Sequence, residues 1–255
     1  MSKVIWMSDP HFVAEGEVLG HDPRARLAAA IAHVNAHHRD AALCVMSGDM
    51  VNRGTEMDYA GLKAMLAELV IPVCPMVGNH DDRALLRAAL SVPDSAMEAF
   101  VQYEIDAGDA RLLLLDTQRA DADAGEFCTT RRQWLKTVLD HDPEKPAILF
   151  MHHPPMDLGL PMQDADRMQD GDGFLDLLAA HRSVRFLCIG HVHRPIAGTV
   201  RGIPFATMRS LLYQAPAPRP AWDWDNFQPA GEAPQLGVLY LSGGDVTLQF
   251  EEFNA

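Results

Sequence analysis

The sequence predicts an α/β fold, and three of its features support that prediction. Short apolar runs of strand length alternate with longer segments of helical period through residues 1–190. The length of 255 residues fits one large domain that can bury a hydrophobic core. After residue 190, short strand-like pieces follow one another between glycines, which indicates antiparallel strands added to the alternating part.

Ten strands are predicted, because ten segments are short and mainly apolar or β-branched. Six belong to the alternating part and lie at residues 3–8, 42–47, 72–77, 111–116, 146–151 and 185–190. Four belong to the later part and lie at residues 196–200, 203–208, 237–241 and 246–250.

Helices are predicted between these strands where apolar residues recur at helical spacing and form one face. The first helix follows Asp22, a residue type that caps helix N-termini, and begins with Pro23. Thr55 precedes a second helix, and Asp58 follows three residues later, as in a capping box. The predicted helices lie at residues 23–39, 56–69, 82–91, 130–140 and 173–181.

The chain is predicted to have three parts, with a core at residues 1–212, a middle segment at 213–236 and C-terminal strands at 237–255. The middle segment holds too many prolines for a central strand. Its aromatic residues predict either a flap or an oligomerisation surface, and a homo-oligomer is the expected assembly. These aromatic residues are Trp222, Trp224 and Phe227.

The composition argues against several classes of protein. Lys and Arg number 21 and Asp and Glu number 35, so the net charge of −14 opposes binding to a nucleic-acid polymer. No apolar run approaches the roughly 18 residues of a membrane span, so no membrane association is expected. The four cysteines form no paired motif, which argues against a disulfide framework and favours a cytoplasmic location.

Five polar clusters carry the chemical signal, because each follows the end of a predicted strand. In open α/β sheets the carboxyl ends of strands form the crevice where sites assemble, so these clusters are expected to converge. The clusters are Asp9-Pro10-His11, Gly48-Asp49, Gly78-Asn79-His80-Asp81, His152-His153-Pro154 and Gly190-His191-Val192-His193.

The side chains in these clusters are suited to divalent metals. Carboxylate, amide and imidazole groups without thiolate favour Mn, Fe, Zn or Co. Seven ligands are too many for one tetrahedral zinc, but they suit two ions that share a bridging carboxylate and clamp a phosphoryl group. Residues two apart in an extended chain point the same way, so Asp9 and His11, and likewise His191 and His193, are expected on one side. Adjacent His152 and His153 are expected to face opposite ways, with one of them a metal ligand.

The order DxH, GD, GNHD, HHP and GHxH over residues 9–193 resembles the calcineurin-like metallophosphoesterase superfamily. Within it, residues 48–54, 78–82 and 151–155 resemble class III cyclic nucleotide phosphodiesterases and bacterial glycerophosphodiesterases. The resemblance implies a four-layer α/β/β/α sandwich of two mixed β-sheets flanked by helices.

The resemblance also implies roles for individual residues. Asp9, His11 and His193 match ligands of a first metal, and Asp49 matches the bridging carboxylate. Asn79, His152 and His191 match ligands of the second metal.

His80 matches a histidine that contacts a phosphoryl oxygen or protonates the leaving alkoxide. Asp81 is expected to orient the His80 ring, as a carboxylate beside a catalytic histidine often does.

The function implied is hydrolysis of a small anionic phosphodiester, such as a cyclic nucleotide or a glycerophosphodiester, by attack of a metal-bound hydroxide. Two alternatives stay open: a phosphomonoesterase or protein phosphatase with the same two metals, and a metal-binding scaffold without catalysis.

Several other polar residues have simpler explanations. The imidazoles of His33, His37 and His38 are expected to interact favourably with the C-terminus of the first helix. His21 is expected in a solvated loop, with substrate contact as the alternative. Arg53 fits equally well a role in steering an anionic substrate and a role in capping the turn before residue 56.

Overall fold

The structure is a computed structural model that describes residues 1–254 and contains two mixed β-sheets. The first sheet has five strands in the order β11-β10-β1-β2-β3. Its strands are β1 (Ser2–Met7), β2 (Leu43–Met46), β3 (Val73–Pro75), β10 (Gln235–Ser242) and β11 (Asp245–Glu252). Strands β1, β2 and β3 run parallel, and β10 is antiparallel to both β1 and β11.

The second sheet has six strands in the order β4-β5-β6-β7-β9-β8. Its strands are β4 (Tyr103–Asp106), β5 (Arg111–Leu115), β6 (Ala147–Met151), β7 (Val184–Ile189), β8 (Ala197–Val200) and β9 (Ile203–Thr207). Strands β5, β6, β7 and β9 run parallel, whereas β4 and β8 are antiparallel edge strands. The expectation of antiparallel strands after residue 190 is confirmed for the pairs β8-β9 and β10-β11, but β9 also pairs parallel with β7, which the sequence did not predict.

Six helices accompany the sheets, and two of them begin as the sequence predicts. The Asp22 carboxylate accepts a hydrogen bond from the Arg24 amide, and the Thr55 hydroxyl accepts one from the Asp58 amide. The helices are α1 (Pro23–His37), α2 (Glu56–Leu66), α3 (Arg83–Ala89), α4 (Thr129–His141), α5 (Pro161–Asp164) and α6 (Gly171–Ala179). The strand β4 and the one-turn helix α5 are additions to the predicted elements, since four residues give too little periodicity to detect.

Alternation of side chains along β5 and β6 produces the predicted four layers. Leu112 and Leu114 belong to the cluster that packs against β1 and β2, whereas Leu113 and Leu115 belong to the cluster that packs against α4 and α6. Helices α1 and α2 cover the other face of the first sheet, with buried residues such as Leu27. Successive residues of one strand therefore face opposite layers, and the whole forms an α/β/β/α sandwich.

The two sheets meet through large buried side chains. Trp6 of β1 and Phe150 of β6 are both fully buried, and their ring centroids lie 6.1 Å apart in an edge-to-face arrangement. This contact fixes the two sheets against each other and leaves their carboxyl-end loops on one side of the molecule. None of the helices within residues 1–254 combines the length and the apolar character that crossing a bilayer requires.

Candidate metal centre

The loops after β1, β2 and β7 are joined by hydrogen bonds at the carboxyl ends of the strands. The amide of Asp9 donates to the carbonyl of Gly48 at 3.2 Å, and the amide of His11 donates to the carbonyl of Asp49 at 3.0 Å. The amide of His191 donates to the Asp9 carboxylate at 3.2 Å. The crevice therefore has a fixed backbone frame, and it contains all seven residues that the sequence suggests as metal ligands.

The backbone of these loops is left-handed rather than extended. The φ angles are 54° at Asp9, 42° at His11, 48° at Asp49, 69° at His191 and 48° at His193. Both residues of each pair still reach the same site, since Asp9 and His11 contribute to one donor group and His191 and His193 line the same crevice. The expected reason, an extended chain, is wrong. Non-glycine residues in this region carry strain of about 1–3 kcal/mol each, and such strain is characteristic of functional sites.

The first group of donor atoms comes from Asp9, His11, Asp49 and His193, all of which are buried. Nε2 of His11 lies 3.2 Å from Nε2 of His193. Nε2 of His193 lies 3.3 Å from Oδ1 of Asp9, and Nε2 of His11 lies 3.5 Å from Oδ2 of Asp49. Two imidazoles and two carboxylates thus aim their donor atoms at one point.

The second group comes from Asn79, His152 and His191. Nε2 of His152 lies 3.2 Å from Oδ1 of Asn79 and 3.3 Å from Nδ1 of His191. The same Nε2 lies 3.4 Å from Oδ2 of Asp49, the oxygen that also approaches His11. Asp49 thus belongs to both groups. His191 and His193 belong to different groups.

The spacing of these atoms fits divalent metals. Bonds of about 2.1 Å to one ion place neighbouring ligand atoms about 3.0–3.4 Å apart. The distances found here, 3.2–3.5 Å, are close to that range. Nδ1 of His152 donates to the Ser47 carbonyl at 2.9 Å, and Nδ1 of His193 donates to the Tyr213 carbonyl at 3.0 Å. Because a carbonyl can only accept, each Nδ1 carries a proton, which leaves Nε2 as the atom of each ring that can bind a metal.

The charges in the site also favour cation binding. Burial raises the pKa of Asp9, but His193 beside it outweighs that effect and lowers the pKa to about 2. Burial lowers the pKa of both His11 and His191 to about 3. Burial lowers the pKa of His152 too, yet the adjacent Asp49 outweighs it and raises the pKa to about 9. Near neutral pH the site therefore holds carboxylates and at least two neutral imidazoles, the forms that bind metal.

His80 lies beside the metal ligands and lines the same cavity. Its amide donates to Oδ1 of Asp49 at 3.0 Å, and its Nδ1 donates to the Asn52 carbonyl at 3.0 Å. Burial lowers the pKa of His80, but Asp49 and the Asn52 carbonyl outweigh this effect and raise the pKa above its ordinary value. The ring is thus held by Nδ1, which leaves Nε2 as the atom available to a substrate.

Asp81 does not have the position expected for it. Its carboxylate accepts hydrogen bonds from the Met50 amide at 3.0 Å, the Gly78 amide at 2.9 Å and the Tyr59 hydroxyl at 2.8 Å. These bonds fix the loops that carry Asp49 and Asn79. The expectation that Asp81 orients the His80 ring therefore requires correction, because the Asn52 carbonyl holds that ring.

His153 is close to the site, but both of its ring nitrogens are engaged. Nδ1 pairs with the Thr117 hydroxyl at 2.8 Å, and Nε2 donates to the Asp123 carbonyl at 3.0 Å. The ring centroids of His152 and His153 lie 4.9 Å apart, so the two rings are not on opposite sides as expected. His153 supports the second group from beside it rather than offering it a free nitrogen.

The two other residues of uncertain role lie outside the metal centre. His21 contacts Arg26 at 3.4 Å at the start of α1. Arg53 is exposed, and Thr55 rather than Arg53 caps α2. Capping thus does not explain Arg53, and steering of an anionic substrate stays a prediction.

A cavity of about 360 Å³ opens above the metal ligands. One wall is aromatic and comes from Tyr213, Trp224 and Phe227. The lining also includes the polar side chains Asp123, Gln163 and Asp166. No sequence motif indicates these lining residues. The aromatic content of residues 213–236 was the one feature that pointed to some of them, namely Trp224 and Phe227. The segment lies beside the cavity, the position that a flap requires.

The fold and the paired donor groups together define a dimetal hydrolase of the α/β/β/α class. A family model described as calcineurin-like phosphoesterase matches residues 2–195. The chain belongs to this family, whose members are dimetal-dependent hydrolases. The resemblance found in the sequence motifs is thereby confirmed.

Individual relatives agree with the family assignment. A probable cyclic nucleotide phosphodiesterase of Rhodopseudomonas palustris is 39% identical over 217 residues, covering 83% of this chain and 79% of the relative. A glycerophosphodiester phosphodiesterase of Enterobacter lignolyticus is 31% identical over 216 residues, covering 82% and 77%. A dimetal phosphatase from Danio rerio shares the fold, with a TM-score of 0.76, 16% identity, and coverage of 98% of this chain and 96% of that structure.

Proposed function

We propose that this protein hydrolyses small phosphodiesters, with cyclic nucleotides or glycerophosphodiesters as the substrate class. The observation that carries the proposal is the position of Asp49. Its Oδ2 lies 3.5 Å from Nε2 of His11 and 3.4 Å from Nε2 of His152, so one carboxylate oxygen joins the two donor groups. The names of the relatives from Rhodopseudomonas palustris and Enterobacter lignolyticus support the same substrate class.

The site residues divide the work of hydrolysis among them. Two divalent ions, when bound, supply Lewis acidity that offsets charge on the phosphoryl oxygens and lowers the pKa of water. Asp9, His11 and His193 would hold one ion, Asn79, His152 and His191 would hold the other, and Asp49 would touch both. The ligand chemistry favours Mn, Fe, Zn or Co, alone or mixed.

His80 is the proposed acid for the leaving group. The Asn52 carbonyl fixes Nδ1, and the raised pKa favours the form of the ring that carries a proton on Nε2. A proton at that atom can pass to the alkoxide oxygen as the P–O bond breaks. Asp81 acts indirectly, because it holds the loops of Asp49 and Asn79 and does not touch the substrate.

The walls of the cavity favour a diester over a monoester. A diester carries an ester group on each side of phosphorus, and the aromatic wall of Tyr213, Trp224 and Phe227 offers an apolar surface to one of them. Asp123 and Asp166, which also line the cavity, repel a dianionic monoester more than a monoanionic diester. The phosphomonoesterase alternative is therefore the weaker candidate.

The test compares two variants and two substrates. His80→Ala should reduce kcat by about 10²–10⁴-fold with two metals per chain retained, whereas Asp49→Ala should lose metal as well as activity. Bis(p-nitrophenyl) phosphate should be hydrolysed faster than p-nitrophenyl phosphate by the wild type. Faster hydrolysis of the monoester would contradict the diester proposal, and loss of both metals in His80→Ala would contradict the role of His80.

The proposal also covers the location and the oligomeric state of the protein. We expect the protein in the cytoplasm as a homo-oligomer. Its four cysteines are free, and three of them are buried, which suits a reducing compartment. Trp224 is 56% exposed beside the cavity, so a second copy has an aromatic surface to cover. Light scattering on the purified chain, with Trp224→Ala as the comparison, measures the assembly.

A further inference from the structure

A second cluster of potential metal ligands shares no residue with the crevice and joins α1 to the first sheet. His33 lies in α1, His38 follows the end of α1, and Glu251 lies in β11. Nε2 of His33 is 3.0 Å from Oε2 of Glu251, and Nε2 of His38 is 2.9 Å from the same oxygen. The cluster thus joins residues 218 and 213 positions apart.

The arrangement differs from an ordinary helix-end interaction, which was the explanation suggested by the sequence. Two imidazole nitrogens converge on a single carboxylate oxygen, and the donor atoms of all three residues lie within 4.8 Å of one another. The His38 side chain is 6% exposed, that of His33 20% and that of Glu251 32%. The cluster is therefore mostly shielded, but it keeps an opening through which water or an ion can enter.

We propose that His33, His38 and Glu251 bind one divalent ion, with zinc as the best fit, at a site separate from the dimetal centre. Two imidazoles and one carboxylate are a common zinc ligand set, and bonds of about 2.1 Å place ligand atoms about 3.0–3.4 Å apart. The observed distances of 2.9 and 3.0 Å need only a small adjustment. Water entering through the exposed side completes a tetrahedral site.

The charge state of the cluster supports this proposal. Burial raises the pKa of Glu251, but the hydrogen bonds from His33 and His38 outweigh it and lower the pKa. The carboxylate is therefore ionised near neutral pH and needs no deprotonation before it binds a cation. A bound ion would replace the two hydrogen bonds, with each Nε2 losing its proton to solvent or to Nδ1 of the same ring, and would tie the end of α1 to β11.

The position gives the ion a structural role. Strand β11 is an edge strand, paired only with β10 among the described residues. An ion shared by α1 and β11 stabilises the folded state by mass action, since the unfolded chain does not bring the three ligands together. The site does not depend on the proposed hydrolysis, because its residues lie outside the cavity and its ligands.

The experiment counts total metal ions per chain in the holoenzyme after dialysis against buffered zinc. The test variants are Glu251→Gln and the double variant His33→Ala/His38→Ala. His141→Ala is the matched control, because His141 is an exposed histidine at the end of α4. The proposal predicts one ion fewer per chain in both test variants and an unchanged count in the control.

A second readout separates a bound ion from a change in folding. With the dimetal centre already filled, zinc at ten times the dissociation constant of the His33, His38 and Glu251 site should raise the Tm of wild type and of His141→Ala by about 3 °C, with no such rise in the test variants. Diester hydrolysis should be within twofold of wild type in all of them. Equal metal counts and equal zinc-induced Tm shifts in wild type and Glu251→Gln would overturn the proposal.

Discussion

Replacement of Gly78 by alanine tests whether the dimetal geometry depends on close packing around Asp49. A Cβ at Gly78 would lie 2.2 Å from Oδ1 of Asp49, 2.6 Å from the Asp49 amide nitrogen and 2.6 Å from Nε2 of His152. Ordinary contacts between such atoms lie near 3.5 Å or beyond, so the methyl overlaps the bridging carboxylate by roughly 1 Å. Asp49 or the loop of Gly78 must therefore move.

The expected result is a loss of both activity and stability. A misplacement of about 1 Å in a catalytic site costs about 10²-fold in rate, or about 2.7 kcal/mol in the activation barrier. Overpacking destabilises the folded state by about 1–3 kcal/mol. We expect kcat/KM for bis(p-nitrophenyl) phosphate to fall by about 10²-fold, with fewer than two metals per chain.

The control is Gly231→Ala, because a Cβ at Gly231 meets no atom within 4 Å. That variant should keep wild-type activity and metal content, measured by elemental analysis on the same preparations. Gly78→Ala with kcat/KM within twofold of wild type and two metals per chain would refute the reasoning, since it would show that the bridge tolerates a displacement of this size.

Three further predictions follow from the structure. Arg131 is fully buried and donates to the Asp116 carbonyl at 2.8 Å. Arg131→Met should therefore lower the free energy of unfolding, measured in urea, by about 3 kcal/mol. A loss below about 1 kcal/mol would contradict a stabilising role for this buried hydrogen bond. Thr55→Ala removes the cap of α2 and should cost about 1 kcal/mol in the same assay, whereas Thr130→Ala on the exposed face of α4 should be neutral. Trp224→Ala should raise KM for cyclic AMP about tenfold, because the base of this substrate can stack on the indole. The KM for a glycerophosphodiester without a ring should not change. Equal changes in KM for the two substrates would contradict a stacking role for Trp224.

The sequence determined the elements of the fold because their signals are local. The cap of α1 depends on Asp22 and that of α2 on Thr55, each within a few residues of the helix it starts. The polar clusters that follow strands predicted a crevice, since parallel strands bring their carboxyl ends together whatever the details of packing. The ligand types in those clusters also predicted divalent metals. Each of these features depends only on residues that are close together in the sequence.

Only the tertiary structure decided how the side chains are arranged within that crevice. Asp49 reaches both donor groups, and His191 and His193 belong to different groups, because left-handed φ angles turn these loops away from the extended geometry. Local spacing cannot predict such angles, since the strain is held by contacts between distant loops. Contacts between separate segments also decided the role of Asp81, because its partners include Met50 in the loop after β2 and Tyr59 in α2.

Distant segments also decided the surroundings of the site and the second cluster. Tyr213 and Asp123 line one cavity although 90 positions separate them in the sequence. Glu251 and His38 are hydrogen-bonded although 213 positions separate them. Periodicity along the chain carries no information about such pairs, because they form only when the two sheets pack and the last strands return beside β1. The sequence by itself thus determined the chemical inventory of this protein, and the packing of the two sheets decided which of those groups meet.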